Sequence, residues 1–297
     1  MALPAVVKEW RTDGAGIDID GDDVFTIDHG PADGPTIVIL HGFPGSTFDW
    51  RHVVTDLAVD HRVVGHDFLG FGLSAKPVDG DYSLFAQTDR VEWMLQHFGV
   101  ERAVVLAHDL GDTVAAELLH RYHDGELTFD LAGCVLTNGS IFIDLVQLSA
   151  GQEALLALPD EPLAESLGGE LLRAGLAATF PPGMPAPGEL DAIVALVEHN
   201  GGDLLLPRLI RYIEERRRNQ ARWTSGLVEC AVPMAVVWGE LDPIAVTPMV
   251  ERLGQLRRQA HNDIDVVRWP DGGHWPALER PTELATLIRA WAARWWV

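Results

Sequence analysis

A series of short Val/Ile/Leu runs, most leading directly into Gly, Asp, Asn or His, constrains this 297-residue chain more than any other feature. Thr36–Leu40 runs into His41-Gly42, Arg62–His66 into Asp67, and Ala103–Ala107 into His108-Asp109. Cys134–Thr137, Met234–Trp238 and Ile264–Arg268 follow further along. Apolar runs of this length, without polar alternation, fit strands buried on both faces, the hallmark of a mostly parallel sheet. Between them, Leu84–Phe98 and Thr113–Tyr122 have helical spacing. Strand–helix alternation predicts an α/β chain built on a doubly wound sheet. The alternation pauses between Ile141 and Gly226, where the pattern is helical apart from a Pro/Gly-rich break at Phe180–Gly188. It resumes at Val232-Pro233. Length alone leaves one large domain or two smaller ones open. The interruption favours a single core made from residues 1–140 and 227–297, with a helical cap, or lid, inserted at 141–226.

Composition narrows the partners. The chain is 47% hydrophobic, enough for a sizeable core, and carries 44 acidic against 22 basic residues, a formal charge of -22. Such a surplus repels phosphate backbones and anionic lipid, so a nucleic-acid partner is not expected. Cys134 and Cys230 are too few for a disulfide framework. The first ten residues lack the apolar core of a secretory signal, and no apolar stretch reaches membrane-spanning length. These features point to a soluble, cytoplasmic protein without a membrane span. Neither metal-ligand spacing nor a phosphate-cradling Gly-rich loop is present, so no cofactor is expected. Trp291, Trp295 and Trp296 are read as packing for a terminal helix or as a homodimer contact.

In an open α/β sheet, ligands bind beyond the carboxyl ends of the strands. Ala107-His108-Asp109-Leu110-Gly111 lies at such an end, just before a helix. A small residue two before the apex and a glycine two after it is the spacing of a nucleophile elbow, here with Asp at the apex. The plainer reading is that Asp109 caps the following helix. Asp242, in Gly239–Pro243, and His274, in Gly272–Trp275, follow two later strands. The chain order is therefore nucleophile, acid, histidine. His41–Gly45 follows an earlier strand where oxyanion-hole backbone belongs, and Asp67–Ser74 forms a turn after the next one.

Together these motifs resemble the α/β-hydrolase superfamily over nearly the whole chain. Within it, they resemble the epoxide hydrolase and haloalkane dehalogenase branch, whose nucleophile is an aspartate. Ala107–Asp112, Leu136–Gly139, Arg211-Tyr212-Ile213 with Arg216-Arg217-Arg218, Arg222-Trp223 and Gly239–Pro243 carry a narrower resemblance to hydrolases of the mesoderm-specific transcript type. The resemblance implies an Asp109–His274–Asp242 catalytic triad and an oxyanion hole from the N–H groups of Phe43 and Leu110. The chemistry is sensible without the family. A carboxyl of ordinary pKa, about 3.9, is ionised at neutral pH and attacks carbon without a base. The histidine then activates the water that hydrolyses the resulting ester.

The leaving group separates the two chemistries of the branch. Dehalogenases usually present a Trp after the nucleophile and often an Asn after the His-Gly; here those places hold Leu110 and Phe43. Epoxide hydrolases of this fold protonate the opening ring with lid tyrosines. Of three tyrosines, Tyr82 and Tyr122 fall in the core, and Tyr212 falls in the last lid helix as the candidate donor. A second lid tyrosine is missing, with His199 or Asn200 as candidate helpers. The expected activity is conversion of a small apolar epoxide to a vicinal diol. Haloalkane dehalogenation, or ligand binding by a vestigial triad, are the alternatives. His108, Asn138, Trp275 and Phe43 are candidate substrate-lining residues, although strand alternation turns His108 away from Asp109. Arg211, Arg216, Arg217, Arg218 and Arg222 are read as a solvated helix face paired with Glu.

Overall fold

Strands buried on both faces need helices on both sides of the sheet, and the computed structural model, which describes residues 2–296, has that arrangement. Among the described residues, one eight-stranded sheet comprises β1 (Ala15–Ile19), β2 (Asp22–His29), β3 (Thr36–Leu40), β4 (Arg62–His66), β5 (Arg102–His108), β6 (Asp130–Thr137), β7 (Met234–Gly239) and β8 (Asp265–Trp269), in the spatial order β1-β2-β4-β3-β5-β6-β7-β8. Strands β3 to β8 are parallel, whereas β1 and β2 form an antiparallel hairpin added at the β4 edge.

The helices are α1 (Ala5–Asp13), α2 (Arg51–Leu57), α3 (Leu84–His97), α4 (Leu110–Asp124), α5 (Ala150–Ala157), α6 (Gly169–Ala177), α7 (Glu189–Glu198), α8 (Leu206–Leu209), α9 (Tyr212–Glu229), α10 (Pro248–Gln259), α11 (Pro276–Glu279) and α12 (Pro281–Trp295). Successive strand side chains point to opposite faces. Val38, Leu40, Val105, Ala107 and Leu136 therefore join one apolar layer, with α3, α4 and α9. Ile37, Ile39, Val104, Leu106 and Val135 join the other, with α1, α2 and α12.

All six predicted strands form, each within three or four residues of its expected bounds. The α1 helix and the β1–β2 hairpin were not anticipated; in the hairpin, Asp18, Asp23 and Asp28 interrupt or flank short apolar stretches and mask the run. Residues 141–226 are free of strands among the described residues. The boundary expected at 226 falls inside α9, which continues to Glu229 and packs along α4. At the C-terminus, Trp291 and Trp295 are buried and stacked (centroids 6.1 Å apart). Trp295 sits so close to β6 that a Cβ on Gly133 would lie 2.1 Å from its ring. Trp296 lies by the Arg102 guanidinium, 5.3 Å away. No described helix is long and apolar enough to cross a membrane.

Candidate active site

Strand β5 delivers His108 and Asp109 to the carboxyl edge of the sheet, and α4 starts at once with Leu110. So abrupt a reversal puts Asp109 at φ 48°, ψ −105°, a backbone conformation that costs a non-glycine residue free energy. The turn is also crowded: a Cβ on Gly111 would lie 2.2 Å from the Leu40 carbonyl oxygen. Asp109 occupies the N-cap position, yet its side chain makes no capping hydrogen bond. Instead its Oδ2 accepts from the Phe43 N–H (3.0 Å). The plain capping reading is thereby replaced by a carboxylate aimed at the loop after β3. The Leu110 amide belongs to the first turn of α4, whose N–H groups lack intrahelical acceptors.

The acid and the histidine come from the loops after β7 and β8. Asp242 accepts four hydrogen bonds: Oδ1 from the Ile244 and Ala245 N–H groups (2.7 and 3.0 Å), Oδ2 from Asn138 Nδ2 and His274 Nδ1 (both 2.8 Å). The bond fixes the His274 ring with Nε2 free for chemistry. Burial alone would push the imidazole down, but Asp242, with Asp109 and Glu279 behind it, outweighs burial and raises it to about 9. Glu279 clasps the histidine loop on both flanks, accepting from the Gly273 N–H (2.7 Å) and the Trp275 N–H (2.9 Å).

The cap contributes through α9. Tyr212 is buried, its ring 5.6 Å from Phe43 and under the Arg216 guanidinium (4.7 Å). Burial and the Asp109 charge both push the phenol up, so it stays protonated, although Arg216 and the Gln152 amide pull the other way. Arg216, one turn further along, is only 4% exposed. Its Nη2 donates to the main-chain carbonyl of Asp109 (2.7 Å) and its Nε to Thr113 Oγ1 (2.6 Å). The expectation of a solvated arginine face holds for Arg217 and Arg218 and fails for Arg216. A buried glutamate, Glu117, takes Arg222 through two hydrogen bonds. Arg211 binds the main-chain carbonyls of Pro207, Leu156 and Leu158.

The other candidates take varied places around the site. Asn138 is fully buried and holds the triad together: besides Asp242, its amide bonds the Gly239 carbonyl and its oxygen accepts the Gly239 N–H. That arrangement fixes the acid loop and leaves no amide group for substrate. His108 turns away from Asp109 as alternation requires, donating from Nδ1 to the Thr137 carbonyl (2.8 Å). Its ring nevertheless packs 4.8 Å from His274, and burial, reinforced by that neighbour, lowers it to about 4, a neutral imidazole. Trp275 donates its indole N–H to Thr179 Oγ1 and stacks on Phe180. His199 and Asn200 form the turn after α7, and His199 has Lys76 and Arg11 as its charged neighbours. Tyr82 and Tyr122 bond the Pro77 carbonyl and Asp130. Arg216 and Glu279 were missed by sequence reasoning. The only available signal was the four-residue step from Tyr212 to Arg216, which puts both on one helix face. Among the described residues, no group of three or more His, Cys, Asp or Glu side chains could hold a metal ion.

Comparison with known proteins agrees with this fold. Residues 35–161 match a family model described as the alpha/beta hydrolase fold. The chain is 39% identical over 289 residues to LipZ of Mycobacterium tuberculosis, named as a hydrolase, covering 96% of this chain and 97% of that protein. It is 34% identical over 290 residues to the mesoderm-specific transcript protein of Mus musculus, covering 94% and 85%. Among solved structures, the haloalkane dehalogenase DbeA from Bradyrhizobium elkani superposes with a TM-score of 0.75 at 19% identity, covering 95% and 98% of the two chains. At that identity the likeness concerns the fold.

Proposed function

The chain belongs to the α/β-hydrolase family, and from that premise we propose that it is a hydrolase working through an ester on Asp109, converting epoxides to vicinal diols. The observation that carries this reading is the pairing, across the core–cap boundary, of an aspartate at the elbow with a buried, protonated tyrosine beside it. An Asp109 oxygen attacks one ring carbon and the carbon–oxygen bond breaks. Tyr212 gives its proton to the oxygen that leaves. Water, deprotonated by His274, then adds to the ester carbonyl while the Phe43 and Leu110 N–H groups hold the oxyanion. Collapse releases the diol and restores the carboxylate, and the proton on His274 returns to the tyrosinate.

Electrostatics support this order of events. The imidazole is raised partly by the Asp109 charge. Ester formation removes that charge, burial then weighs more heavily, and His274 becomes the free base the second step needs. A dehalogenase would need N–H donors for a departing halide, but Trp275 and Trp223 already donate theirs to Thr179 and Glu117. The intact triad geometry likewise argues against a vestigial binding site. The substrate inferred is small and apolar. Two unpaired, buried cysteines fit the reducing conditions of a cytoplasm.

A single turnover in heavy-oxygen water tests the ester directly. The label is expected in the Asp109 carboxylate, and label in the first diol released overturns the covalent step. Replacing Tyr212 by Phe is expected to lower epoxide turnover by about 10²-fold, measured as diol formation. Unchanged turnover removes Tyr212 from the ring-opening role.

A further inference from the structure

The reaction above uses Asp109, Asp242, His274 and Tyr212 and leaves unexplained a buried arginine between the last of these and the first. Arg216 donates to the carbonyl of Asp109, the residue with the strained backbone. It also donates to Thr113 in the first turn of α4, so one guanidinium spans the elbow. The same Nη2 lies 3.8 Å from Asp109 Oδ1. That separation exceeds a hydrogen bond, so the guanidinium lies beside Oδ1 without occupying one of its lone pairs. Oδ2, in contrast, is held by the Phe43 N–H. The two oxygens are thus distinguished: Oδ2 sits where an ester carbonyl oxygen belongs, and Oδ1 is left to attack.

A neighbouring carboxyl could have neutralised this charge. Asp112 is buried beside Arg216, and the two share a cavity of about 10 Å³ lined also by Thr113 and Gln220, room for a single water. Neither Asp112 oxygen has a hydrogen-bond partner within the protein. Burial first, and the Asp109 charge second, push its carboxyl well above the ordinary carboxylate range. No hydrogen bond ties Asp112 to the guanidinium, which is left to Asp109 and Thr113.

We propose that Arg216 is a positioning residue for the nucleophile, pinning the Asp109 main chain and presenting Oδ1 for attack. The proposal rests on the covalent reading, and the experiment separates the two. Ester formation is followed by mass spectrometry after rapid mixing with styrene oxide as the probe epoxide, in wild type, Arg216→Met and Arg216→Lys, each first shown to be folded by circular dichroism. In Arg216→Met the rate constant of ester formation is expected to fall by about 10²-fold, while the half-saturating epoxide concentration changes less than about threefold. Arg216→Lys, which keeps a charge but loses the fork, recovers part of the rate. A folded Arg216→Met that forms ester at the wild-type rate overturns the positioning role and leaves the covalent reading standing. So does a loss confined to half-saturation. No ester in wild type, with styrene oxide consumed, overturns both. If Arg216→Met does not fold, Arg216→Lys alone decides: an unchanged rate of ester formation overturns the role and a reduced one supports it.

Discussion

Asp112 shows how one buried side chain links the site to stability. Its carboxyl is held above the ordinary value of 3.8 by burial first and by Asp109 second. A group raised on folding contributes stability that is fully present below its unfolded pKa and is lost as the pH rises through the window above it. At neutral pH the native chain therefore carries a cost that an amide of the same shape does not. Asp112→Asn is expected to melt at a higher temperature than wild type at pH 7, with the difference closing toward pH 4; calorimetry across that range checks it. At this scale the sequence was legible where chemistry and chain order coincide, as for Asp109, Asp242 and His274. It was opaque for Asn138 and Glu279, whose roles depend on loops that meet only after folding. Arg216 was obscured by its neighbours: three consecutive arginines look solvated, yet the helical period turns the first inward and the next two out.

Among elements, the α4–α9 seam decides whether the site is assembled. Glu117, wholly buried on α4, accepts from Arg121 Nε (2.9 Å), from Arg222 Nε and Nη2 (2.7 and 2.8 Å) and from the Trp223 indole (3.0 Å). Those acceptors hold in register the helix that brings Tyr212 and Arg216 to Asp109. Glu117→Gln removes the charge and is expected to cost about 2 kcal/mol, read by urea unfolding, with turnover falling alongside. The parallel strands were legible because both of their faces are apolar, leaving no polar alternation to confuse. The β1–β2 hairpin was not, since its apolar runs are short and flanked or interrupted by Asp18, Asp22, Asp23 and Asp28. Helix α4 begins three residues before its expected start because the elbow allows no linker between strand and helix.

Over the whole molecule, the cap is joined to the core at several places. Arg51 of α2 pairs with Glu189 at the start of α7, Glu215 of α9 accepts the Leu84 N–H at the start of α3, and Arg208 binds the carbonyls of Val78 and Gly80. The surplus of acid leaves the basic side chains few and well used, several of them as these ties. The two-part core was readable from where strand punctuation stops and resumes, but the far limit of the cap was not, because a helix runs through it. That continuity has a consequence for traffic through the enzyme. Helix α9 buries six residues and is anchored along α4, whereas α5 buries none and α6 only Leu176. The roof above the nucleophile is thus a fixed beam on one side and a lightly seated panel on the other. On the proposed function, substrate and product are expected to pass beneath the panel, with the tyrosine and arginine on the beam keeping their places.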